Sequence, residues 1–196
     1  MQKAFFNDRY QQTDAVIEGR KTMARQIMAG IDFPVNMVMG RVLPDKDGKI
    51  YAVANGENII VKLRYKVGEV VAVAQCYYNA FSSRCDIPVY GADRTPGWLN
   101  KLFVRADLMP HQIRITGISC ERLQDISDAY CMKEGVRVEF AKNGMPMYYY
   151  FDIKRWRQVW FDTPREAFAS LIDRVSGKGT WASNPWVVVY EFELVK

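Results

Sequence analysis

The segment from 163 to 177 constrains the fold most strongly, because it carries a full set of signals for an amphipathic helix. Thr163, Pro164 and Glu166 combine a capping box with proline at the first helical position, and Gly177 supplies a stop. Apolar residues recur at helical spacing along one side: Phe168, Leu171, Ile172 and Val175. Such a helix packs one face onto another layer, so we predict that this stripe is core and not a ligand pocket.

Most of the remaining chain has strand signals, and helices that close a strand-rich chain predict an α+β fold. The pairs Asp47-Gly48 and Asn55-Gly56 are hairpin turns, which predict two short strands between Met39 and Leu63. Further strands are predicted over 69–77, 101–105 and 112–123, the last with a bulge at Gly117. The residues from 81 to 97 are rich in Ser, Asp, Pro and Gly and predict a long surface loop.

Three cations follow the exit of a short helix near the amino terminus. Thr13 is the predicted N-cap and Gly19 the left-handed residue that ends the helix, so that Arg20, Lys21 and Arg25 come directly afterwards. A lysine in this position can bind phosphate as a point charge or, if desolvated, can act as a base or nucleophile. The alternative is an exposed lysine at a strand end with no role in a site.

A second helix is predicted from about Ser127 to Glu134, with Gly135 after it. Glu134 then lies at the carboxyl end of the helix, where the dipole disfavours a carboxylate by about 0.3 to 1 kcal/mol. This placement favours a nearby cation as its partner. A structural salt bridge with Lys21 and membership of a functional site both remain open.

Four features together resemble the ASCH domain, a relative of the PUA RNA-binding fold. They are Gly19-x-Lys21 after the first helix, the turn from Tyr65 to Val71, the helix from Asp125 to Gly135, and the closing strand from Asn184 to Leu194. The chain is most similar to uncharacterised bacterial and bacteriophage-type members. The resemblance implies a PUA-like β-barrel with flanking helices, formed by one domain over 1–196 with loop insertions near 40–60 and 80–97.

The resemblance also implies an RNA- or nucleotide-binding function at a cationic cleft in the barrel mouth. In small family members that hydrolyse acetylated cytidine, Lys21 and Glu134 match the catalytic lysine and glutamate. Ala24 stands where those members have threonine, and Gln26 where arginine is usual. An alanine has no hydroxyl to attack a carbonyl, so binding is predicted over catalysis. Hydrolysis of a modified nucleoside or of RNA is the enzyme alternative, with Thr22 as the nearest hydroxyl.

Further ligand-binding residues are predicted beyond the first helix. In similar family members the region of Trp98, Lys101 and Arg105 lines the pocket mouth, where a ring can cover a base while a cation meets a phosphate. The predicted binding set is Arg20, Lys21, Arg25, Trp98, Lys101 and Arg105. His111 lacks an identified nucleophile or orienting carboxylate. A protein-interaction adaptor that uses the loop from Arg84 to Gly97 is a third possibility.

Aromatic residues and cations interleave from Tyr148 to Phe161. Alternation predicts that Tyr149, Phe151 and Ile153 face the core, and helical spacing predicts that Trp156 and Trp160 anchor the helix that follows. The alternative interpretation is a platform on which bases stack: one exposed ring beside two cations suffices for this.

Composition sets the remaining expectations. A formal charge of +5 and a pI near 9.0 favour polyanionic partners such as RNA, although solubility also explains a charge of this size. The four cysteines form no CxxC pair and His111 is the single histidine, so we predict reduced thiols, no metal and no cofactor. With no signal region or long apolar stretch, a cytoplasmic location without membrane contact is predicted.

Overall fold

The computed structural model describes residues 1–28, 63–81 and 95–195, together with the backbone of three strands at 39–44, 50–54 and 57–61. The predicted turns at Asp47-Gly48 and Asn55-Gly56 lie outside the described residues, as does most of the predicted loop from 81 to 97. The proposed adaptor surface within that loop lies outside them as well.

The strands are β1 (Lys3–Ala4), β2 (Met23–Ile27), β3 (Met39–Pro44), β4 (Ile50–Ala54), β5 (Glu57–Val61), β6 (Val70–Val73), β7 (Gln112–Arg122), β8 (Arg137–Phe140), β9 (Pro146–Asp152), β10 (Arg157–Phe161) and β11 (Trp186–Leu194). The α-helices are α1 (Gln12–Ile17), α2 (Tyr77–Phe81), α3 (Asp128–Lys133), α4 (Pro164–Ser176) and α5 (Thr180–Ser183). Both kinds of element are present, so the α+β part of the prediction agrees with the structure.

The predicted PUA-like β-barrel is wrong, because the strands of the described residues form open sheets. One sheet has five strands in the order β1-β6-β7-β11-β2, and two sheets have three strands each, β10-β9-β8 and β3-β4-β5. A barrel closes only when its first and last strands pair with each other. In the described part of the chain the outer strands β1 and β2 each have one partner, β6 and β11 respectively. The sheet therefore has two edges and no closed barrel.

Strand β11 is central because its side chains are buried on both faces of the five-stranded sheet. Val188, Tyr190 and Phe192 pack into one hydrophobic cluster with residues of β6 and β7. Val187 and Val189 point to the opposite face and pack with residues of α3 and α4. The predicted closing strand is thus confirmed, and its continuous apolar run reflects burial on both sides.

The predicted helix after Thr163 is confirmed as α4. The Thr163 hydroxyl accepts a hydrogen bond from the Glu166 N–H at 3.2 Å, Pro164 opens the helix, and Gly177 follows it with a φ of 115°. Phe168, Leu171 and Ile172 are buried, as predicted. Val175 is exposed, so the stripe extends beyond the core at the carboxyl end of the helix. The helix from Ser127 is also confirmed, since Ser127 caps α3.

Several local predictions differ from the structure. The described residues between 39 and 63 form three strands and not two, and 101–105 contains a 3-10 turn over Lys101–Phe103 in place of the predicted strand. Thr13 lies inside α1, where its buried hydroxyl bonds to Asp8 and does not cap the helix. On β7 the pairing with β11 shifts register next to Gly117, where the bulge was predicted. No helix in the described ranges is both long and apolar enough to cross a bilayer.

Candidate functional site

Lys21 is buried between the end of α1 and the end of α3. Gly19 has a φ of 73°, which turns the chain out of α1, and the Lys21 N–H then donates to the Ala15 carbonyl at 2.8 Å. Gly135, with a φ of 100°, passes directly behind: a Cβ added there would lie 3.7 Å from the Lys21 Cβ. Lys21 is 3% exposed as a result. The predicted exposed strand-end lysine without a partner is therefore not what the structure contains.

Glu134 is the partner of Lys21. The Lys21 Nζ lies 2.5 Å from Glu134 Oε2 and donates a second bond to the Glu134 carbonyl at 2.9 Å. Glu134 is 4% exposed and lies just after the last residue of α3. The cation predicted to offset the unfavourable helix dipole is thus in place.

Arg25 extends this pair into a four-residue charge network. Its Nη1 donates to Glu134 Oε1 at 2.7 Å, while Nε and Nη2 donate to Glu121 Oε1 at 3.0 and 2.6 Å. Burial by itself would lower the pKa of Arg25, but the carboxylates of Glu134 and Glu121 outweigh it, so the pKa is raised. Two cations and two carboxylates balance, and this part of the site has no net charge. The positive charge predicted for the cleft is therefore neutralised at this place by carboxylates.

The network borders a cavity of about 330 Å³, within the usual size range of small-molecule pockets. Lys21, Arg25 and Glu134 line it on one side, and Asn7 and Gln12 add neutral polar groups. Its apolar lining consists of Phe5, Phe6, Ala24, Phe168, Leu171, Ile172 and Val175. The α4 stripe was predicted to be core only, but it also lines this cavity.

A second cavity of about 370 Å³ adjoins the first, since both are lined by Phe5, Phe6, Ala24, Arg25 and Ser176. It adds Arg64, Tyr65, Gln26 and Tyr190 to the lining, among others. We call the cavity lined by Lys21 the base cavity and the cavity lined by Arg64 the Arg64 cavity.

Arg64 differs from the buried cations in having no carboxylate partner among the described residues. Its guanidinium carbon lies 5.6 Å from the centre of the Phe5 ring and 5.5 Å from that of Tyr65. Its side chain thus lies against two aromatic rings, and no carboxylate of the described residues competes with a ligand for its N–H groups. Sequence reasoning missed Arg64 because it precedes β6 and lies far along the chain from Lys21. The preceding loop offers no motif that marks it.

The other predicted binding residues lie elsewhere. Arg20 Nε donates to Glu18 at 2.7 Å and lines a separate cavity. Lys101 is held by Asp8 at 2.7 Å and by the Phe6 carbonyl, and the exposed Arg105 pairs with Asp107 at 2.5 Å. The ring of Trp98 packs edge-on against Tyr78, with centres 6.1 Å apart. Of the predicted binding set, the structure brings Lys21 and Arg25 together at the base cavity.

The base cavity offers little for covalent chemistry. Ala24 occupies its lining without a hydroxyl, and Thr22 does not line it. Ser176 is the one hydroxyl side chain of the described lining, and it makes no hydrogen bond to Lys21 or Glu134. The described residues also contain no group of three or more His, Cys, Asp or Glu that could hold a metal ion.

Comparison with known proteins finds no matching family model, no similar curated protein and no matching solved structure. The resemblance to the ASCH domain therefore stays a prediction.

Proposed function

We propose that the base cavity and the Arg64 cavity together bind a nucleotide, free or as part of an RNA chain in the cytoplasm. The observation that carries this proposal is the placement of Lys21, Arg25 and Glu134 in the lining of an otherwise largely apolar cavity, with Arg64 in the adjoining one. A nucleotide combines a flat ring with polar edges, which suits the first cavity, and a charged phosphate, which suits the second.

The base cavity suits a flat heteroaromatic ring. The rings of Phe5, Phe6 and Phe168 line it and offer faces and edges for aromatic packing. Two of the three N–H groups of Lys21 are used by Glu134, so one donor remains. Each Glu134 oxygen accepts one bond and retains a further lone pair. The site can therefore both donate to and accept from a base.

Arg64 suits the phosphate. A guanidinium presents its N–H groups as a fork that matches two phosphate oxygens, and Arg64 has no described carboxylate that would compete. The buried network cannot take this role as readily, because its charges already balance. We therefore assign the phosphate to Arg64 and the base to the Lys21 side.

Binding is favoured over hydrolysis for two reasons. The hydroxyl that a lysine and glutamate would activate is missing at Ala24, and both Glu134 oxygens accept hydrogen bonds from cations. A carboxylate held by two cations is a weaker general base than a free one. Hydrolysis of acetylated cytidine or of RNA is tested as a separate outcome.

The test compares nucleosides with nucleoside monophosphates by calorimetric titration. We expect Arg64→Ala to weaken binding of the monophosphates about 10-fold or more and to leave the nucleosides unchanged, because it removes a charge-assisted contact to phosphate alone. Lys21→Met should weaken both classes, because it removes a donor to the base. Arg105→Ala is the matched control, since it removes an exposed arginine outside both cavities.

Two results would contradict this proposal. One is that the wild-type protein binds no nucleoside or nucleotide; the other is that Arg64→Ala and Lys21→Met bind as tightly as wild type. In parallel, acetylated cytidine and RNA are incubated with the protein and the products are separated by chromatography. Product that disappears with both Lys21→Met and Glu134→Gln would establish a hydrolase instead of a binding protein.

A further inference from the structure

The outer face of the β8–β9–β10 sheet carries an aromatic surface that the two cavities do not use. Trp156 and Trp160 form it, and each packs on a ring of β9: Trp156 on Phe151, and Trp160 on the buried Tyr149. We call this surface the aromatic face. We propose that it is a second binding site, and that its ligand is single-stranded nucleic acid. This inference does not depend on nucleotide binding in the base cavity, because no residue is shared between the two sites.

The strand register brings the rings together in two successive pairs. Trp160 lies opposite Tyr149 in the β10–β9 pairing, and their ring centres are 4.4 Å apart. Phe151 is two residues further along β9 on the same face, and Trp156 packs edge-on against it at 5.5 Å. Two residues along a strand span roughly 6 to 7 Å. The exposed rings of Trp160 and Trp156, which pack on these two positions, can stack successive bases of an extended strand.

The tryptophans of this face are exposed and do not form core. Trp156 is 79% exposed and Trp160 is 40% exposed, so the prediction that they anchor the following helix is wrong. Tyr149 is buried as predicted, but Phe151 is half-buried and Ile153 is exposed, while Tyr150 and Asp152 are buried, so the predicted alternation is right only in part. Trp156 has a φ of 49°, in the left-handed region that large residues seldom adopt. Apart from the edge-on contact with Phe151, most of the Trp156 ring lies in solvent, where a ligand can reach it.

Cations lie at both ends of the aromatic face. Lys154, Arg155 and Arg157 surround Trp156, are exposed, and form no ion pair in the described part of the chain. At the other end Tyr149 borders a cavity of about 420 Å³ whose charged lining is Arg20, Lys133, Arg137 and Glu139. Glu139 is occupied by the Tyr149 hydroxyl at 2.7 Å, and Arg20 by Glu18.

This combination of rings and cations selects the ligand class. Bases stack on rings without regard to sequence, and cations beside the rings meet the phosphates between the bases. A partner protein would have to place acidic groups at both ends of an aromatic surface. A single strand has phosphates along its whole length, so it fits this pattern without a special arrangement.

The test measures binding of labelled oligonucleotides of about 12 nucleotides by fluorescence anisotropy, with RNA and DNA as separate arms. We expect Trp156→Asn to weaken binding between about 5-fold and about 100-fold, the effect of one lost stacked base. Asparagine is chosen because it tolerates the left-handed backbone of this position. The doubly substituted Trp156→Asn, Trp160→Ala protein should lose most of the binding. Oligonucleotide should also quench tryptophan fluorescence, and less in this double variant.

Two controls separate stacking from general effects. Phe140→Ala removes an exposed ring from the opposite face of the same sheet and should bind like wild type. Arg157→Gln should lower the salt slope of log K by about 0.7, as expected for one lost phosphate contact to a single strand. Lys66→Gln, an exposed cation distant in sequence from this sheet, should leave the slope unchanged.

Two outcomes would overturn the inference. One is that the wild-type protein binds no oligonucleotide, and the other is that the double tryptophan variant binds it as tightly as wild type. If that variant binds normally while Lys21→Met loses the binding, the strand lies in the base cavity and the proposed function is supported. Conversely, failed nucleotide titrations with intact oligonucleotide binding would contradict the proposed function and leave the aromatic face supported.

Discussion

Replacement of Glu134 by glutamine should be one of the most destabilising single polar substitutions in this protein. Among the described residues Glu134 is the one carboxylate that Lys21 contacts, and Lys21 is 3% exposed. The substitution leaves a buried ammonium with the residue 134 carbonyl as its acceptor. Removal of one partner from a buried ion pair costs about 3 to 5 kcal/mol, because the remaining charge is buried without compensation. Arg25 is affected less, since it keeps two hydrogen bonds to Glu121.

The reverse substitution, Lys21→Met, should cost less. Glu134 keeps the Arg25 bond at 2.7 Å, and methionine fills much of the space of the lysine stem. The loss is then that of a charged hydrogen bond, about 1.5 to 3 kcal/mol. In the double variant neither charge remains, so the sum of the single effects should exceed the measured effect. The difference, a coupling energy, should be about 1 to 3 kcal/mol.

Urea unfolding followed by circular dichroism gives the free energy of unfolding for all four proteins. Arg105 and Asp107 provide a matched control, because this pair has the same 2.5 Å separation but its side chains are 69% and 61% exposed. Asp107→Asn should change stability by less than about 1 kcal/mol. If Glu134→Gln costs no more than Asp107→Asn, or if the coupling energy is zero, the reasoning from burial is refuted.

Three other predictions concern separate parts of the fold. Asp152 is fully buried against Arg9, whose hydrogen bonds lower the pKa of the Asp152 carboxyl. The ion pair should therefore stabilise the fold above about pH 4, and this stabilisation should be lost on further acidification. In acid unfolding experiments, Asp152→Asn should lack this loss of stability. Burial raises the pKa of Cys120 to about 11 and of Cys131 to about 12, so iodoacetamide at pH near 8 should spare both thiols in folded protein and modify them after unfolding, as read by peptide mass spectrometry. Gly135→Ala should lower the free energy of unfolding by about 1 to 2 kcal/mol in urea titrations, because a side chain at its φ of 100° is strained.

The sequence is sufficient where a local signal decides the structure. The capping box at Thr163 predicts the start of α4 because its hydrogen bond joins residues three apart. The Lys21–Glu134 pairing could also be anticipated, since a carboxylate at a helix carboxyl end favours a cation. Neither signal depends on how distant strands are arranged.

The sequence fails where the result depends on distant pairing. Whether β1 and β2 meet is a property of the whole sheet, and no pattern within either strand predicts that they do not. Tyr149 is buried as predicted, but Phe151 and Ile153 are not, because the apolar and aromatic run of this segment does not alternate clearly. The partner of the buried Asp152 carboxylate is Arg9, which lies more than a hundred residues earlier in the chain. The run from Tyr148 to Phe161 therefore contains no signal for this ion pair.

Charge compensation explains why the two proposed sites can be tested independently. At the base cavity the charges of Lys21 and Arg25 are neutralised by two carboxylates, so binding there depends on hydrogen bonds of fixed geometry. In the adjoining cavity Arg64 is the one cation without a carboxylate partner among the described residues. On the aromatic face Lys154, Arg155 and Arg157 form no ion pair with any described residue, so phosphates can displace their counterions. The excess of positive charge in the chain, +5 in total, is thus found among cations such as those of the aromatic face and not in the neutral network at the base cavity. Affinity that falls steeply with salt belongs to the aromatic face, whereas affinity that changes little with salt belongs to the base cavity.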